Sequence, residues 1–275
     1  MPTSVQQNLS PRPFIKWAGG KSKLIQQYNS FFPKQFKAYY EPFLGGGAVF
    51  FHLNPACGYL TDINAELINA YRCVKDNVEE LIEVLEVHQF KHCKEYYYEV
   101  RHCQGVTDTE KAARLIYLNK TCFNGLYREN SQGQFNVPIG KYKNPKISNP
   151  DLLRSASAAL QKAQIDVQSF EDILKQADCC DDFVYFDPPY HPLSPTSNFT
   201  AYSRSSFNRD NHIKLKEVFA ELAQRGVNVM LSNSDCQFVR ELYSDFNIHP
   251  ILASRLINSN IQKRGRIPEL LITSY

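Results

Sequence analysis

Apolar residues along this chain fall into two alternating rhythms. Short apolar runs, Ala38-Tyr39-Tyr40, Gly58-Tyr59-Leu60-Thr61, Ile165-Asp166-Val167, Phe183-Val184-Tyr185-Phe186 and Val227-Asn228-Val229-Met230-Leu231, have the length and turn-residue boundaries of buried strands. From residue 65 to about 148 the spacing becomes helical: Leu67, Ile68, Tyr71 and Val74, then Val78, Leu81, Ile82 and Leu85, then Ala112, Leu115 and Ile116, with charged residues between. An alanine-rich helix begins at Leu152, another spans residues 210–225, and residues 247–275 read as two strands joined by a basic loop around Lys263. The pattern predicts an α/β fold, built as one unit with an insertion or as two compact lobes. The expected division is 1–64 with 149–275 as a catalytic domain, and 65–148 as an inserted, mainly helical recognition domain. Residues 133–150, rich in glycine, asparagine and proline, read as a loop that lies in a groove rather than packs. Residues 198–207 have little periodicity and are expected to order over a bound partner.

Chemistry concentrates just after the run at 183–186, in Asp187-Pro188-Pro189-Tyr190. A strand that ends there delivers a carboxylate to a loop stiffened by two prolines, with an aromatic ring close by. An aromatic amino group is a poor nucleophile because its lone pair is delocalised, and drawing on its hydrogens localises that pair. Asp187 can accept one such hydrogen and the Pro188 carbonyl the other, while Tyr190 offers a face for a base. The bland alternative is a strand-ending turn.

A glycine-rich turn, Glu41-Pro42-Phe43-Leu44-Gly45-Gly46-Gly47, follows the strand at 38–40 and leads into an apolar helical stretch. Its glycines permit close backbone approach to a nucleoside. Phe50 stands where a dinucleotide fingerprint places a third small residue, which weakens a pyrophosphate reading. The second strand ends at Asp62, placed either to accept ribose hydroxyls or to cap the helix that follows. Ser169 and Phe170 lie just past the strand at 165–167, where a cofactor's adenine would sit. The stretch Lys16-Trp17-Ala18-Gly19-Gly20-Lys21-Ser22 ends like a phosphate loop, but Ile15 stands where the first glycine belongs. A clamp on a cofactor's amino-acid tail fits better, with Trp17 packing and Lys21 meeting a carboxylate.

A net charge of +3 does not by itself predict nucleic-acid binding, but Lys and Arg gather at 12–23, at 128–146 and at Lys263, Arg264 and Arg266. Phe135 and Tyr142 lie among them as aromatics that could pack on sugars or bases. The eight cysteines, with no long apolar run or leader, suit a reduced, cytoplasmic setting without a membrane. His88, His92, Cys93, His102 and Cys103 lack metal-site spacing, so no metal is expected. The absence of a Pro-Cys dipeptide argues against cysteine-mediated cytosine methylation, and the zinc deaminase signature is also missing.

Taken in order, residues 16–21, 41–47, 62–64, Asn124-Gly125-Leu126-Tyr127-Arg128, Phe135-Asn136-Val137-Pro138, 187–190, 198–202 and Leu231-Ser232-Asn233-Ser234 resemble a Dam-type (D12 class, alpha-group) DNA adenine methyltransferase over nearly the whole chain. The resemblance implies a Rossmann-like methyltransferase fold, S-adenosylmethionine as cofactor, adenine N6 as acceptor and GATC in double-stranded DNA as target. It assigns Lys16, Trp17, Gly19, Lys21, Glu41, Phe43, Gly45, Gly47, Asp62, Ser169, Phe170 and Asp187 to the cofactor. It assigns Asp187, Pro188, Pro189 and Tyr190 to catalysis, and Phe123, Asn124, Leu126, Arg128, Pro138, Lys141, Lys263 and Arg264 to DNA. Phe123 takes the position of a ring inserted beside a flipped adenine, with packing in the core as its alternative. Arg128 takes that of a base reader, with a phosphate contact or surface ion pair as its alternative. A monomer is expected; a partner endonuclease is not legible in these residues. Ile261-Gln262 depart from the family's pattern in the terminal loop.

Overall fold

The computed structural model describes residues 10–193, 207–254 and 266–275. Lys263, Arg264, Ile261, Gln262 and residues 198–206, singled out above, lie outside the described residues. The fold is mixed α/β. Its strands are β1 (Ala38–Glu41), β2 (Gly58–Asp62), β3 (Ala163–Val167), β4 (Asp182–Phe186), β5 (Asn228–Ser234), β6 (Asn247–Ser254) and β7 (Arg266–Thr273). They form a seven-stranded sheet in the order β3-β2-β1-β4-β5-β7-β6. Among the described residues the helices are α1 (Ile25–Tyr28), α2 (Ala48–Leu53), α3 (Ala65–Asp76), α4 (Val78–Lys91), α5 (Lys94–His102), α6 (Asp108–Thr121), α7 (Pro150–Leu160), α8 (Arg209–Gln224) and α9 (Gln237–Leu242). None is long and apolar enough to cross a membrane.

Contacts divide the chain into two units, one of residues 1–21, 45–55 and 64–167, the other of residues 22–44, 56–63 and 168–275. In the second unit β1 runs parallel to both β2 and β4, with Tyr39 opposite Gly58 on one side and Phe183 on the other. β4 is parallel to β5, and β5 and β6 are both antiparallel to β7. Alternation of side chains builds the core. Ala38 and Tyr40, Val184 and Phe186, Val229 and Leu231, and Leu270 and Ile272 share one buried cluster with Leu215, Val218, Phe219 and Leu222 of α8. The alternate positions Tyr39, Phe183 and Tyr185 meet Tyr28, Phe32 and Phe36 through edge and tilted ring contacts. Buried on both faces, these strands read as continuous apolar runs.

The first unit holds α2 to α7 and β3. Its middle helix, α6, is buried nearly all round, through Ala112, Ala113, Leu115, Ile116, Tyr117 and Leu118. A capping box starts it: Thr107 Oγ1 accepts from Glu110 N while Glu110 accepts from Thr107 N. Arg114, also buried, closes the C-terminal end of α5 by donating to the Val100 and Arg101 carbonyls. His88 and His92 approach the hydroxyls of Tyr96 and Tyr117 at 2.8 and 2.9 Å, and Cys93 caps α5.

Three local expectations change. The helix cap after β2 is Asn64, whose side chain accepts from Leu67 N, so the capping alternative for Asp62 falls away. Residues 133–150 do pack in part, because Phe135, Val137 and Ile147 are buried; Phe135 meets Tyr127 edge-on and is not a surface aromatic. β5 continues past Leu231 through Ser232 and Asn233 to Ser234, since backbone pairing with β7 runs on where the apolar run stops.

His212 of α8 is 1% exposed, with Nδ1 3.5 Å from the Asn233 amide. Burial, with His191 nearby, lowers its pKa to about 4. The unfolded chain binds that proton near pH 6.5 and the folded chain does not, so stability falls as pH drops from about 6.5 toward 4, by about 3 kcal/mol in all. Urea unfolding across that interval should show His212→Gln with a slope smaller by about one proton. An unchanged slope would contradict a neutral buried imidazole.

Candidate functional site

Three adjacent parallel strands of the second unit end in carboxylates. β2 ends at Asp62, β1 at Glu41, and Asp187 follows the last residue of β4. Neighbouring strands in a sheet lie about 4.8 Å apart, so the carboxyl edge of β2-β1-β4 is an acidic rim. It sits where the strand order reverses, between β1 and β4, the place at which open α/β sheets bind ligands. An acidic rim repels phosphates and suits a ligand with a positive centre and sugar hydroxyls.

Glu41 is buried and accepts from the Tyr39 hydroxyl at 2.9 Å. The turn after it is tied to β2 by Leu44 N donating to the Thr61 carbonyl. Phe43 stacks on Phe170 with centroids 5.5 Å apart and meets Phe186 and Phe207 edge-on, an aromatic wall beside the rim. Ser169 caps the short 3-10 helix at Phe170–Lys175, with Asp172 completing a capping box. The Asp62 carbonyl receives Gln168 N, which sets the chain before Ser169 beside the tip of β2.

The loop after β4 is held from below. Asp187 Oδ1 accepts from Ser232 Oγ at 2.8 Å, and the Tyr190 hydroxyl donates to Glu269 of β7 at 2.8 Å. Burial, and then the charge of Asp187, holds the Tyr190 hydroxyl well above its ordinary pKa, so it remains a donor and the ring is fixed. Pro188 is buried and Pro189 exposed. Among the described residues the Pro188 carbonyl has no backbone partner. Glu269 was not singled out by sequence reasoning, and Ser232 entered only within the stretch 231–234, with no role given to it. The only signal for Glu269 is a carboxylate inside the apolar strand Ile267-Pro268-Glu269-Leu270-Leu271-Ile272.

In the first unit Trp17 stacks on Tyr127 with centroids 5.4 Å apart. Gly45, at φ +47°, has no room for a side chain, because a Cβ there would lie 2.8 Å from Trp17 Cδ1. Gly47, at φ +63°, starts α2. The Gly45 carbonyl accepts from the Tyr71 hydroxyl at 3.1 Å. Lys21 is 3% exposed, with Nζ 2.5 Å from the Gly19 carbonyl. Lys16 takes a different direction: its ammonium lies 4.7 Å over the Tyr142 ring and 3.4 Å from the Tyr142 hydroxyl. Its backbone is gripped by Asn119, which accepts from Lys16 N and donates to Lys16 O at 2.8 and 2.7 Å. Asn119 also donates to the Gly125 carbonyl, a role betrayed in sequence only by an asparagine in an apolar helix face.

Residues 121–140 double back as an antiparallel ribbon, bridged at Cys122 with Ile139 and at Glu129 with Phe135. This ribbon brings together Phe123, Asn124, Leu126, Arg128 and Pro138, with Lys141 just beyond it. Phe123, at 49% exposure, is not a core residue. Asn124 and Gly125 are both left-handed, at φ +57° and +64°, a strain that asparagine and glycine tolerate. Exposed Arg128 donates through Nε to Asn136 Oδ1 at 2.7 Å, which presets its guanidinium at the ribbon's surface.

Lys120, at the end of α6, is partly buried with Lys16 and Arg12 nearby. Burial first, then those two cations, lowers its pKa to about 8. This crowding of positive charge is the arrangement a polyanion relieves. A separate cavity of about 230 Å³ is lined by Glu66, Arg101, Arg114, Gln134, Phe135 and Asn136. It takes in none of the residues expected to hold a cofactor, and its Arg114 is engaged by the carbonyls already named.

This chain belongs to the family of D12 class N6 adenine-specific DNA methyltransferases, whose pattern matches residues 17–257. It is 45% identical over 280 residues to the Type II methyltransferase M1.LlaDCHI of Lactococcus lactis subsp. cremoris, covering 98% of each chain. It is 42% identical to the Type II methyltransferase M.MjaIII of Methanocaldococcus jannaschii, covering 96% of this chain and 99% of the relative. It is 37% identical to the DNA adenine methylase of Escherichia coli K12, covering 94% of each. The family implies S-adenosylmethionine as methyl donor and DNA as acceptor.

Replacing Lys120 by Met should weaken duplex binding and reduce the slope of log affinity against log salt by about one. Fluorescence anisotropy at several salt concentrations measures this. An unchanged slope would place Lys120 away from the phosphates.

Proposed function

We propose that this protein transfers a methyl group from S-adenosylmethionine to N6 of adenine within GATC in duplex DNA, after rotating that adenine out of the stack. The observation that carries the reading is the loop after β4, where a carboxylate and an aromatic ring are fixed by Ser232 and Glu269. Rotation is needed because a paired adenine's amino group is otherwise out of reach. Asp187 and the Pro188 carbonyl accept the two amino hydrogens, which localises the nitrogen lone pair. The Tyr190 ring, its hydroxyl tied down, provides the stacking face. These groups chiefly position and polarise. The acceptor carboxylates of the rim suit the cofactor, whose contribution when bound is an electrophilic methyl on a cationic sulfur. Asp62 is assigned its ribose hydroxyls and the Phe43 and Phe170 wall, with Ser169, its adenine. Glu41 is assigned to the same cofactor, as are Lys16, Trp17, Gly19, Lys21, Gly45 and Gly47, the last set toward its amino-acid end.

Residues 65–148 are assigned target recognition, and 1–64 with 149–275 catalysis. Arg128 reads a guanine edge in the major groove, supported by the hold that Asn136 has on its Nε. Asn124, Leu126 and Pro138 contact the target bases, Phe123 fills the space beside the displaced adenine, and Lys141, Lys263 and Arg264 meet backbone phosphates. The protein is proposed to act as a monomer in the cytoplasm.

Transfer of labelled methyl from S-adenosylmethionine to a GATC duplex, and not to one with the same bases shuffled, is the expected outcome. Arg128→Ala should lower kcat/KM on GATC by about 1–3 kcal/mol of discrimination and narrow the gap to sites with a replaced guanine. Equal labelling of both duplexes by the wild type would overturn the GATC assignment. No labelling of either, with cofactor bound, would overturn the acceptor.

A further inference from the structure

β5 is an interior strand, paired with β4 on one side and β7 on the other. Its first part is apolar, yet Ser232, Asn233 and Ser234 follow in succession, with exposures of 0%, 0% and 6%. A buried polar side chain left without a partner is destabilising, so three in a row call for partners. All three find them on the loop that carries Asp187. Ser232 bonds the Asp187 carboxylate. Asn233 Oδ1 accepts from His191 N at 3.1 Å, and Ser234 Oγ donates to the His191 carbonyl at 2.7 Å. The loop is therefore gripped at its first residue by a side chain and one residue past its end through the backbone.

The Ser232 contact also has a direction. A carboxylate only accepts, so the Ser232 hydroxyl must spend its hydrogen on Asp187. The Tyr185 hydroxyl lies 2.9 Å from Ser232 Oγ, and with the Ser232 hydrogen directed at Asp187 it is Tyr185 that donates across this contact. Burial and the charge of Asp187 keep Tyr185 protonated, which agrees with that order. The result is a one-way chain, Tyr185 to Ser232 to Asp187, inside the second unit. Such chains strengthen each bond along them in a low-dielectric interior.

We infer that Ser232, backed by Tyr185, is a positioning residue for methyl transfer: it sets the orientation of the Asp187 carboxylate against the amino group, while Asn233 and Ser234 anchor the loop's far end. This rests on the reading of Asp187 as acceptor of an amino hydrogen. A hydrogen bond to a charged group carries more than one between neutral groups, so the two variants separate in size.

The test is single-turnover methyl transfer to a GATC duplex, with cofactor and duplex affinities titrated in parallel. Ser232→Ala should slow transfer about 10- to 100-fold, and the near-isosteric Tyr185→Phe about 2- to 10-fold, with KM and both affinities held within about twofold. Ser232→Thr, which keeps the hydroxyl, should recover most of the rate. Wild-type rates in Ser232→Ala and Tyr185→Phe, a loss confined to KM, or Ser232→Thr as slow as Ser232→Ala would each overturn the inference. Tyr185→Phe decides the matter if Ser232→Ala fails to fold. Asp187→Ala separates the two levels. If it still transfers methyl, the reading of Asp187 itself falls; if it is inactive while the other variants run at wild-type rate, only the positioning role falls.

Discussion

Parallel pairing of β1 with β4 is the constraint on which the site depends. It sets Ala38, Tyr39 and Tyr40 level with Asp182, Phe183 and Val184, so that both strands release their loops at the same edge. One loop carries Glu41 and the glycine turn, the other Asp187 and the two prolines. A shift of one residue in that register would turn Tyr185 and Phe186 to opposite faces and carry Asp187 away from Ser232. Burial of Tyr39, Phe183, Tyr185 and Phe186 is what specifies the register.

The acidic rim has an electrostatic cost that the fold meets with hydrogen bonds. Glu41 is served by Tyr39, and Asp187 by Ser232 with Tyr185 behind it. The same tyrosines sense the charge. Tyr185 and Tyr190 are pushed up by burial and by Asp187, and Tyr39 by burial and by Glu41. Kept protonated, they are donors in a region rich in acceptors. The charge pattern thus selects what the rim holds: a cationic ligand gains from it and a phosphate does not.

Much of this was legible along the chain because its signals are local. Asp187-Pro188-Pro189-Tyr190, the glycine turn and Asp62 each sit at the end of an apolar run whose length marks a strand. How they are supported was not legible, because the partners come from far away: Ser232, quoted only as part of a motif, is 45 residues from Asp187, and Glu269 is 79 from Tyr190. Phe135 misled for a related reason. It stands among polar and turn residues, where no periodicity reports burial, and it is buried where residues 121–140 fold back. Asp62 and Asn64 are both plausible caps by type, and backbone geometry chose Asn64.

The carboxyl edge of β2-β1-β4 is proposed to bind a cationic nucleoside cofactor through its carboxylates. Calorimetric titration of S-adenosylmethionine into the wild type and Asp62→Ala, with ATP as a polyanionic counterpart, tests it most directly. The account predicts binding by the wild type, affinity reduced at least about tenfold in Asp62→Ala through loss of charge-assisted hydrogen bonds, and no binding of ATP. Unchanged affinity in Asp62→Ala, or ATP bound as tightly as S-adenosylmethionine, would contradict it.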